Sequence, residues 1–351
     1  MKKFLLFFFF IIVFLTSLSF VGYRFFIDQI YNTSVDASNV MESFEILEGQ
    51  SAKEIGFELE KTGIIKNKNY FYYYIWKNNL AAQIQAGKYE LSSNMTIPQV
   101  VEKFVQGLIK KEIKKITIPE GFTNRKIIDR LRGLEPAIAD RFEELVNCKC
   151  LNQDGCACDL YSSRYDFLAL IPNGIDMEGY LFPDTYFIEK DDTAEIMLEK
   201  FLNNFSRHIS LEDLEQIEKT GRNIFEIVTM ASVIEREVQT DKDRKIVSGI
   251  FWKRIEDEYP LQSCATLAYF LEIDKPQFSY EDTQIESPYN TYLNIGLPPG
   301  PIANPGEASI KAAIYSQEND YYYFLSDLSS GEIIYSKTLE EHNANKIKYG
   351  L

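Results

Sequence analysis

Two glutamates close the run MASVIEREV, residues 230–238, and their setting points to acid–base chemistry. On a helix turning about 100° per residue, a face centred on Ala231 collects Ile224, Ile227, Val228, Ile234 and Val238 within roughly 60°. Glu235 falls on that face, roughly 40° from its centre, whereas Glu226, Arg236 and Glu237 fall on the side expected to meet water. A carboxylate inside an apolar stripe carries a desolvation cost unless it is paired or protonated. Burial raises its proton affinity, as a general acid working near neutral pH requires. The alternative is that Glu235 borders the stripe and reaches a nearby arginine or solvent, and periodicity leaves both readings open.

Counting sets aside most other chemistries. His208 and His342 are the only histidines, too few for a His-rich metal centre, and HExxH, GxSxG, P-loop and dinucleotide fingerprints are absent. A serine or cysteine nucleophile would have to borrow one of those two histidines, and neither sits in a recognisable setting. No catalytic metal and no cofactor is expected, so carboxylates remain. Three segments stand out: EGYLFPDTYFI at 178–188, the helix carrying Glu235, and YNTYLNIGLPPGPIANPG at 289–306. Tyr180, Phe182, Tyr186, Tyr289 and Tyr292 offer faces for sugar rings, while Gln262, Asn290 and Asn304 offer hydrogen bonds to hydroxyl and acetamido groups. With one carboxylate in an apolar setting, these residues describe a glycan cleft. Proline and glycine exclude helix or central strand over 296–306, which reads as a crossover pinned by prolines or as a preorganised ligand wall.

The elements that position these residues sit in a chain of 351 residues, enough for one large domain or two modest ones. Its 37 Lys and Arg against 52 Asp and Glu give a formal charge of -15, which argues against nucleic acid as a partner. The start, MKKFLLFFFFIIVFLTSLSFVGYR, runs through about twenty largely apolar residues, the length a bilayer core demands. Residues 1–23 are therefore expected to be a single transmembrane anchor of the cytoplasmic membrane. Lys2 and Lys3 then stay inside and the rest of the chain lies on the extracytoplasmic side. A cleaved signal peptide ending near Ser17-Leu18-Ser19 is the competing reading. Cys148, Cys150, Cys156 and Cys158 in CKCLNQDGCAC read as two local disulfides in an oxidising compartment, with a four-cysteine metal site as the alternative. Cys264 is left over.

Residues 24–43 look like a juxtamembrane tether, and folding is expected from residue 44. The lines FEILEGQSAKEIGFELEK and ITIPEGFTNRKIIDRL each read as a short strand, Glu-Gly, an N-cap at Ser51 or Thr123, and a helix burying Ile55 and Leu59 or Ile127 and Leu131. Between them lie an aromatic helix, NYFYYYIW, the strand-like AGKYEL and a capped helix in MTIPQVVEKFVQG. This compact unit, residues 44–114, resembles a LysM-like module; its tyrosines serve either a core or sugar stacking. Residues 115–351 mix helix and strand without regular alternation, giving an α+β catalytic domain.

The runs ASVIEREV, LQSCATLAY, YNTY, GLPPGPIANPGEASIKAA, YYYFLSD and SKTLEEHN, with IPEGFT and EGYLFPDTY, resemble the YceG-like, or MltG, family of endolytic murein transglycosylases. The resemblance covers nearly the whole chain from residue 44. It implies that Glu235, first Glu of the A-S-[IV]-[IV]-E-[KR]-E motif, is the catalytic residue, in agreement with the face count. The reaction it implies cleaves the β-1,4 bond between N-acetylmuramic acid and N-acetylglucosamine within peptidoglycan strands. Glu235 gives a proton to the leaving oxygen, then takes one from the muramic C6 hydroxyl as that oxygen closes onto C1, leaving a 1,6-anhydro end. On this reading the apolar stripe keeps Glu235 protonated, Glu178, Tyr180 and Asp184 shape the floor of the cleft, and Gln262, Tyr289, Asn290 and the 297–306 loop with Pro299 and Asn304 hold sugar groups. Partners are glycan strands, the membrane, and peptidoglycan synthases or division machinery. The chain departs from the family at Cys264, where relatives carry Asp, and at Ile333, where relatives often carry His. Two other functions stay open: a peptidoglycan-binding scaffold without turnover, and a water-using muramidase with Asp184 or Glu178 as second carboxylate.

Overall fold

A computed structural model describes residues 2–32, 40–108, 113–148, 157–273, 275, 278–327 and 330–350. The chain divides into two compact units, residues 1–112 and 113–351.

The first unit opens with helix α1 (Lys2–Tyr31), followed by β1 (Glu42–Ile46), α2 (Ala52–Lys61), α3 (Lys68–Lys77), β2 (Gly87–Leu91) and α4 (Ile97–Gln106). From Leu6 onward α1 is long and apolar enough to cross a membrane, a test that a signal sequence near the N-terminus also passes. It does not stop at Arg24: Phe26 meets Tyr70 and Tyr73 edge-on at 5.2 and 4.8 Å, and Ile30 is buried. The expected tether is therefore helical through Tyr31, because apolar residues continue along one side of the helix; its 33–39 portion lies outside the described residues. β1 and β2 pair antiparallel with Phe44 opposite Tyr89, and Ser51 closes a capping box with Glu54 at the start of α2. Phe71 and Ile75 of the aromatic helix are buried with Tyr89 and Phe104, so this part of the stripe is core.

The second unit begins with β3 (Ile113–Thr117), α5 (Asn124–Leu134), α6 (Pro136–Val146), α7 (Ala157–Tyr161), β4 (Thr185–Glu189), α8 (Ala194–His208) and α9 (Leu211–Lys219). It continues with α10 (Ile224–Glu237), α11 (Asp241–Glu256), α12 (Cys264–Leu271), α13 (Tyr280–Thr283), α14 (Glu307–Ile314), β5 (Tyr323–Ser326), β6 (Ile333–Ser336) and α15 (Leu339–Tyr349). β3 pairs antiparallel with β4, Ile116 opposite Tyr186, and β5 with β6. Helices far outweigh these short pairs, so the fold is mixed α+β. Thr123 caps α5 by accepting from the Lys126 N–H at 3.3 Å, and Ile127 and Leu131 are buried as their spacing predicts. Cys148 and Cys158 are disulfide-bonded, Cys264 is free, and Cys150 and Cys156 lie outside the described residues.

Helix α10 is the centre of this unit. The sequence predicts one buried stripe, yet Phe225, Thr229, Met230, Ser232 and Val233 are buried as well, because α9, α11, α12 and α14 pack around it. A helix enclosed on most sides leaves its last turn only partly open to water. Glu237, expected in solvent, accepts instead from the Ser263 hydroxyl and from the Ala265 N–H at 3.3 Å, at the first turn of α12, and burial raises its pKa.

Candidate active site

Glu235 lies in the final turn of α10, where the helix dipole alone would disfavour a negative charge. Two donors offset that. The Arg244 Nη2, from the first turn of α11, reaches Oε1 at 3.3 Å, and the Gly306 N–H, at the N-terminus of α14, donates to Oε2 at 3.0 Å. Gly306 has no side chain with which to cap α14, so the Glu235 carboxylate supplies negative charge at that helix start. Side-chain exposure is 6% for Glu235 and 10% for Arg244. Of the two readings periodicity left open, the structure shows the one in which Glu235 borders the stripe and reaches an arginine: its tip is held by a guanidinium and an amide.

The loop that brings Gly306 into place is fixed to α10 and to the segment after β3. Ser232 accepts from the Ile302 N–H at 2.9 Å. Asn304, fully buried, exchanges backbone bonds with the 121–122 segment: its N–H donates to Phe122 O at 2.8 Å and its carbonyl accepts from the Gly121 N–H at 2.9 Å. The Asn304 side chain accepts from the Leu181 N–H at 2.8 Å and donates to Phe122 O and Glu178 Oε1, each at 3.0 Å. Gly179 is required nearby: its φ is +94°, and a Cβ there would lie 2.7 Å from Pro301 and Val228. The proline-rich run is pinned along its second half, at Ile302, Asn304 and Gly306.

Each expected site residue has a definite place. Glu178 is buried in this junction, accepting from the Asn124 N–H at 3.0 Å as well as from Asn304, and burial, with Asp176 nearby, raises its pKa well above the carboxylate range. Tyr180 is fully enclosed, its ring stacked on Phe167 at 5.6 Å. It underlies the site and presents no face to a sugar. Asn290 is corrected in the same way: it is fully buried, donates to Thr283 O and Ile285 O, and accepts from the Tyr292 N–H, so it fixes the 283–292 turn. Asp184 is exposed but tied to Asn204 Nδ2 at 2.9 Å. Gln262 is exposed on a left-handed backbone, φ +51°, a sparsely populated state for a residue with a side chain. Pro299 is half-buried.

A cleft of about 520 Å³ runs alongside, lined among others by Thr123, Glu178, Arg236, Ala265, Tyr269 and Tyr289. Tyr289 stands against Tyr269 at 5.1 Å, and burial pushes its hydroxyl pKa up to about 12. Glu235 does not line this cleft; its neighbour Arg236 does, with Nη1 3.3 Å from Gly121 O. Sequence reasoning missed three groups at the carboxylate: Arg244, Gly306 and Glu120. Glu120 and Gly306 stand inside recognisable runs, IPEGFT and ANPGE, while nothing in the pattern of α11 marks Arg244. Glu120 lies 3.9 Å from the Arg244 nitrogen that holds Glu235, and its pKa is raised by burial and by the Glu235 charge.

These features define a class: a mixed α+β protein with an apolar N-terminal helix and one carboxylate held at a junction of helices beside an aromatic-walled cleft. The chain belongs to the YceG-like family, whose match spans residues 44–348. A protein of Bacillus subtilis (strain 168) named endolytic murein transglycosylase is 32% identical, over 89% of this chain and 86% of its own length. A protein of Streptococcus pneumoniae (strain ATCC BAA-255 / R6) with the same name is 30% identical over 95% of this chain, and the chain spans 63% of that longer relative. The crystal structure of a yceG-like protein, lmo1499, from Listeria monocytogenes is similar at a TM-score of 0.59 and 33% identity, covering 88% of this chain and all of that one.

Proposed function

We propose that this protein is an endolytic murein transglycosylase in which Glu235 is both the acid and the base. The observation that carries the reading is the Glu235 carboxylate, buried at the end of α10 and held by Arg244 and the Gly306 N–H, at the motif that defines the family resemblance. The proton of Glu235 passes to the glycosidic oxygen of N-acetylglucosamine as its bond to muramic C1 breaks. The resulting carboxylate takes the proton of the muramic C6 hydroxyl while that oxygen bonds to C1, so a 1,6-anhydromuramyl end forms and no water is consumed. Arg244 and the Gly306 N–H receive the carboxylate in the intermediate state, where Glu235 bears its charge. The cleft beside Arg236 takes the glycan, with Tyr269 and Tyr289 as ring faces and the pinned 297–306 loop, carrying Pro299, as a wall. Gln262 reaches sugar groups from the exposed turn before α12.

α1 anchors the chain in the cytoplasmic membrane, Lys2 and Lys3 inside and the chain from β1 onward outside, beside the synthases or division machinery that make new strands. The β1–α2–α3–β2 unit acts as a LysM-like module. A general acid contributes about 10²–10⁴-fold to such a step. The test compares the full chain in detergent with its Glu235→Gln variant on insoluble sacculi. The variant is expected to bind as well as the native chain and to release soluble glycan at least about 100-fold more slowly. Equal binding with no release by either protein favours the scaffold reading.

A further inference from the structure

The first unit carries a surface that glycan cleavage does not use. Phe71 and Ile75 of α3 are buried in the core of that unit, whereas Tyr73, Trp76 and Lys77 stand clear of it. Trp76 is 74% exposed. Its ring lies 6.1 Å from that of Tyr73, and the Lys77 Nζ stands 5.7 Å from the Tyr73 ring centre on the same side. An indole, apolar in body and polar at its N–H, suits a boundary between hydrocarbon and water better than water itself. Helix α1 shows which boundary is near. Between Lys3 and Arg24 it has 20 residues and no charge, a rod of about 30 Å that matches the hydrocarbon layer of a bilayer. The helix runs unbroken from Lys2 to Tyr31, so Phe26 stands only about 3 Å further along the axis than Arg24. There its ring meets Tyr70 and Tyr73 edge-on at 5.2 and 4.8 Å. Each polar layer of a bilayer is about 5–7 Å deep, so these two tyrosines lie at the level of the lipid headgroups, and Trp76 is one ring contact away.

We propose that the side of α3 formed by Tyr73, Trp76 and Lys77 docks on the outer headgroup layer of the membrane that α1 spans. The inference rests on the proposed anchoring role of α1. The Trp76 indole lies where headgroups meet acyl chains, and the Lys77 ammonium reaches the lipid phosphates. Continuity of α1 argues for lipid as the occupant: one helix both crosses the bilayer and packs on α3, with no break at which the unit could swing away. A sugar platform fits less well, because Tyr70 and Tyr73 already meet Phe26. Docking gives the first unit a second attachment beside α1 and holds it at the membrane surface. Any glycan this unit meets is then one within reach of the membrane.

The test is quenching of Trp76 fluorescence in the full chain reconstituted into lipid nanodiscs. The signal of the Trp76→Phe variant is subtracted to remove Trp252, the other tryptophan. Lipids brominated near the glycerol end of the acyl chain are expected to quench most of the Trp76 emission, and lipids brominated near the methyl end much less. Iodide in the buffer is expected to quench little. That pattern places the indole roughly 15–22 Å from the bilayer midplane, within the polar layer. Full quenching by iodide with none by either lipid overturns the proposal. Protection from iodide and from both lipids means that protein covers the face, a second copy or the rest of this chain, and overturns it as well. Should Trp76→Phe disturb the first unit, Trp252→Phe isolates the same emission without subtraction. Failure of the anchoring reading looks different: the full chain then elutes apart from the discs, or the intact mass of the chain made by a bacterial host shows that the first 19 residues have been removed.

Discussion

Asn304→Ala tests whether the wall beside Glu235 is held as described. The side chain makes four bonds in a fully buried position, to Leu181 N–H, Phe122 O, Asn124 Oδ1 and Glu178 Oε1, and they do not count equally. Phe122 O keeps the Asn304 backbone N–H at 2.8 Å, so it loses nothing essential. Glu178 Oε1 keeps the Asn124 N–H at 3.0 Å and is left partly satisfied. The Leu181 N–H loses its acceptor outright, which costs roughly 1–3 kcal/mol for a buried donor. Adding the small void left by the amide, the loss is about 2–4 kcal/mol. Trp252 is buried in the second unit and Trp76 is exposed in the first, so denaturant unfolding of the full chain on a Trp76→Phe background follows the second unit through Trp252 fluorescence. A loss below about 1 kcal/mol would refute the reasoning that this amide fixes the wall. Asn304→Asp keeps the acceptor for Leu181 but turns an acid toward Glu178. Both acids then gain proton affinity in the fold, so the variant is expected to be closest to native stability at low pH and to lose it as pH rises.

Further predictions concern single groups. Gly306 has φ -77° and ψ 169°, which alanine adopts freely, and the added methyl meets only the flexible tip of Glu120, so Gly306→Ala should leave stability within about 1 kcal/mol in the same fluorescence assay. His342 stacks on Tyr323 at 5.2 Å, and burial, with Lys346 and Arg254 nearby, depresses its pKa from 6.5 to about 4. The unfolded chain therefore takes up this proton first as pH falls, and His342 contributes a loss of stability between pH 6.5 and about 4. His342→Phe should flatten the acid side of the melting curve against pH, and an unchanged slope would show that another group is responsible. Glu178→Ala leaves the buried Asn124 N–H without an acceptor and should destabilise the second unit by roughly 2–4 kcal/mol in the same fluorescence assay; a native midpoint would count against its place in the junction.

The sequence marks the framework of the site better than its charges. The caps at Ser51 and Thr123, the buried Ile127 and Leu131, and the irregular run at 296–306 follow from local spacing, and the structure agrees with each. Periodicity failed at α10 because it assumes one dry face and one wet face, and this helix is enclosed on most sides. That is why Glu237 was expected in water, and why the spacing could not choose between an apolar setting for Glu235 and the arginine partner it has. Buried polar residues were misread for a related reason. Tyr180 and Asn290 have types that suit sugar recognition, but whether their polar atoms or rings are already engaged depends on segments far away in the chain. Arg244, nine residues beyond Glu235, meets it only because α11 folds back beside α10.

The central claim is that Glu235 drives intramolecular closure of the muramic C6 oxygen onto C1. The most direct measurement is mass spectrometry of muropeptides after purified glycan strands are digested by the full chain in detergent, beside its Glu235→Gln variant. The account predicts new 1,6-anhydromuramyl ends from the native chain and none from the variant. New reducing ends in their place would mean that water attacks C1, and the same anhydro ends from both proteins would mean that Glu235 is not the acid and base.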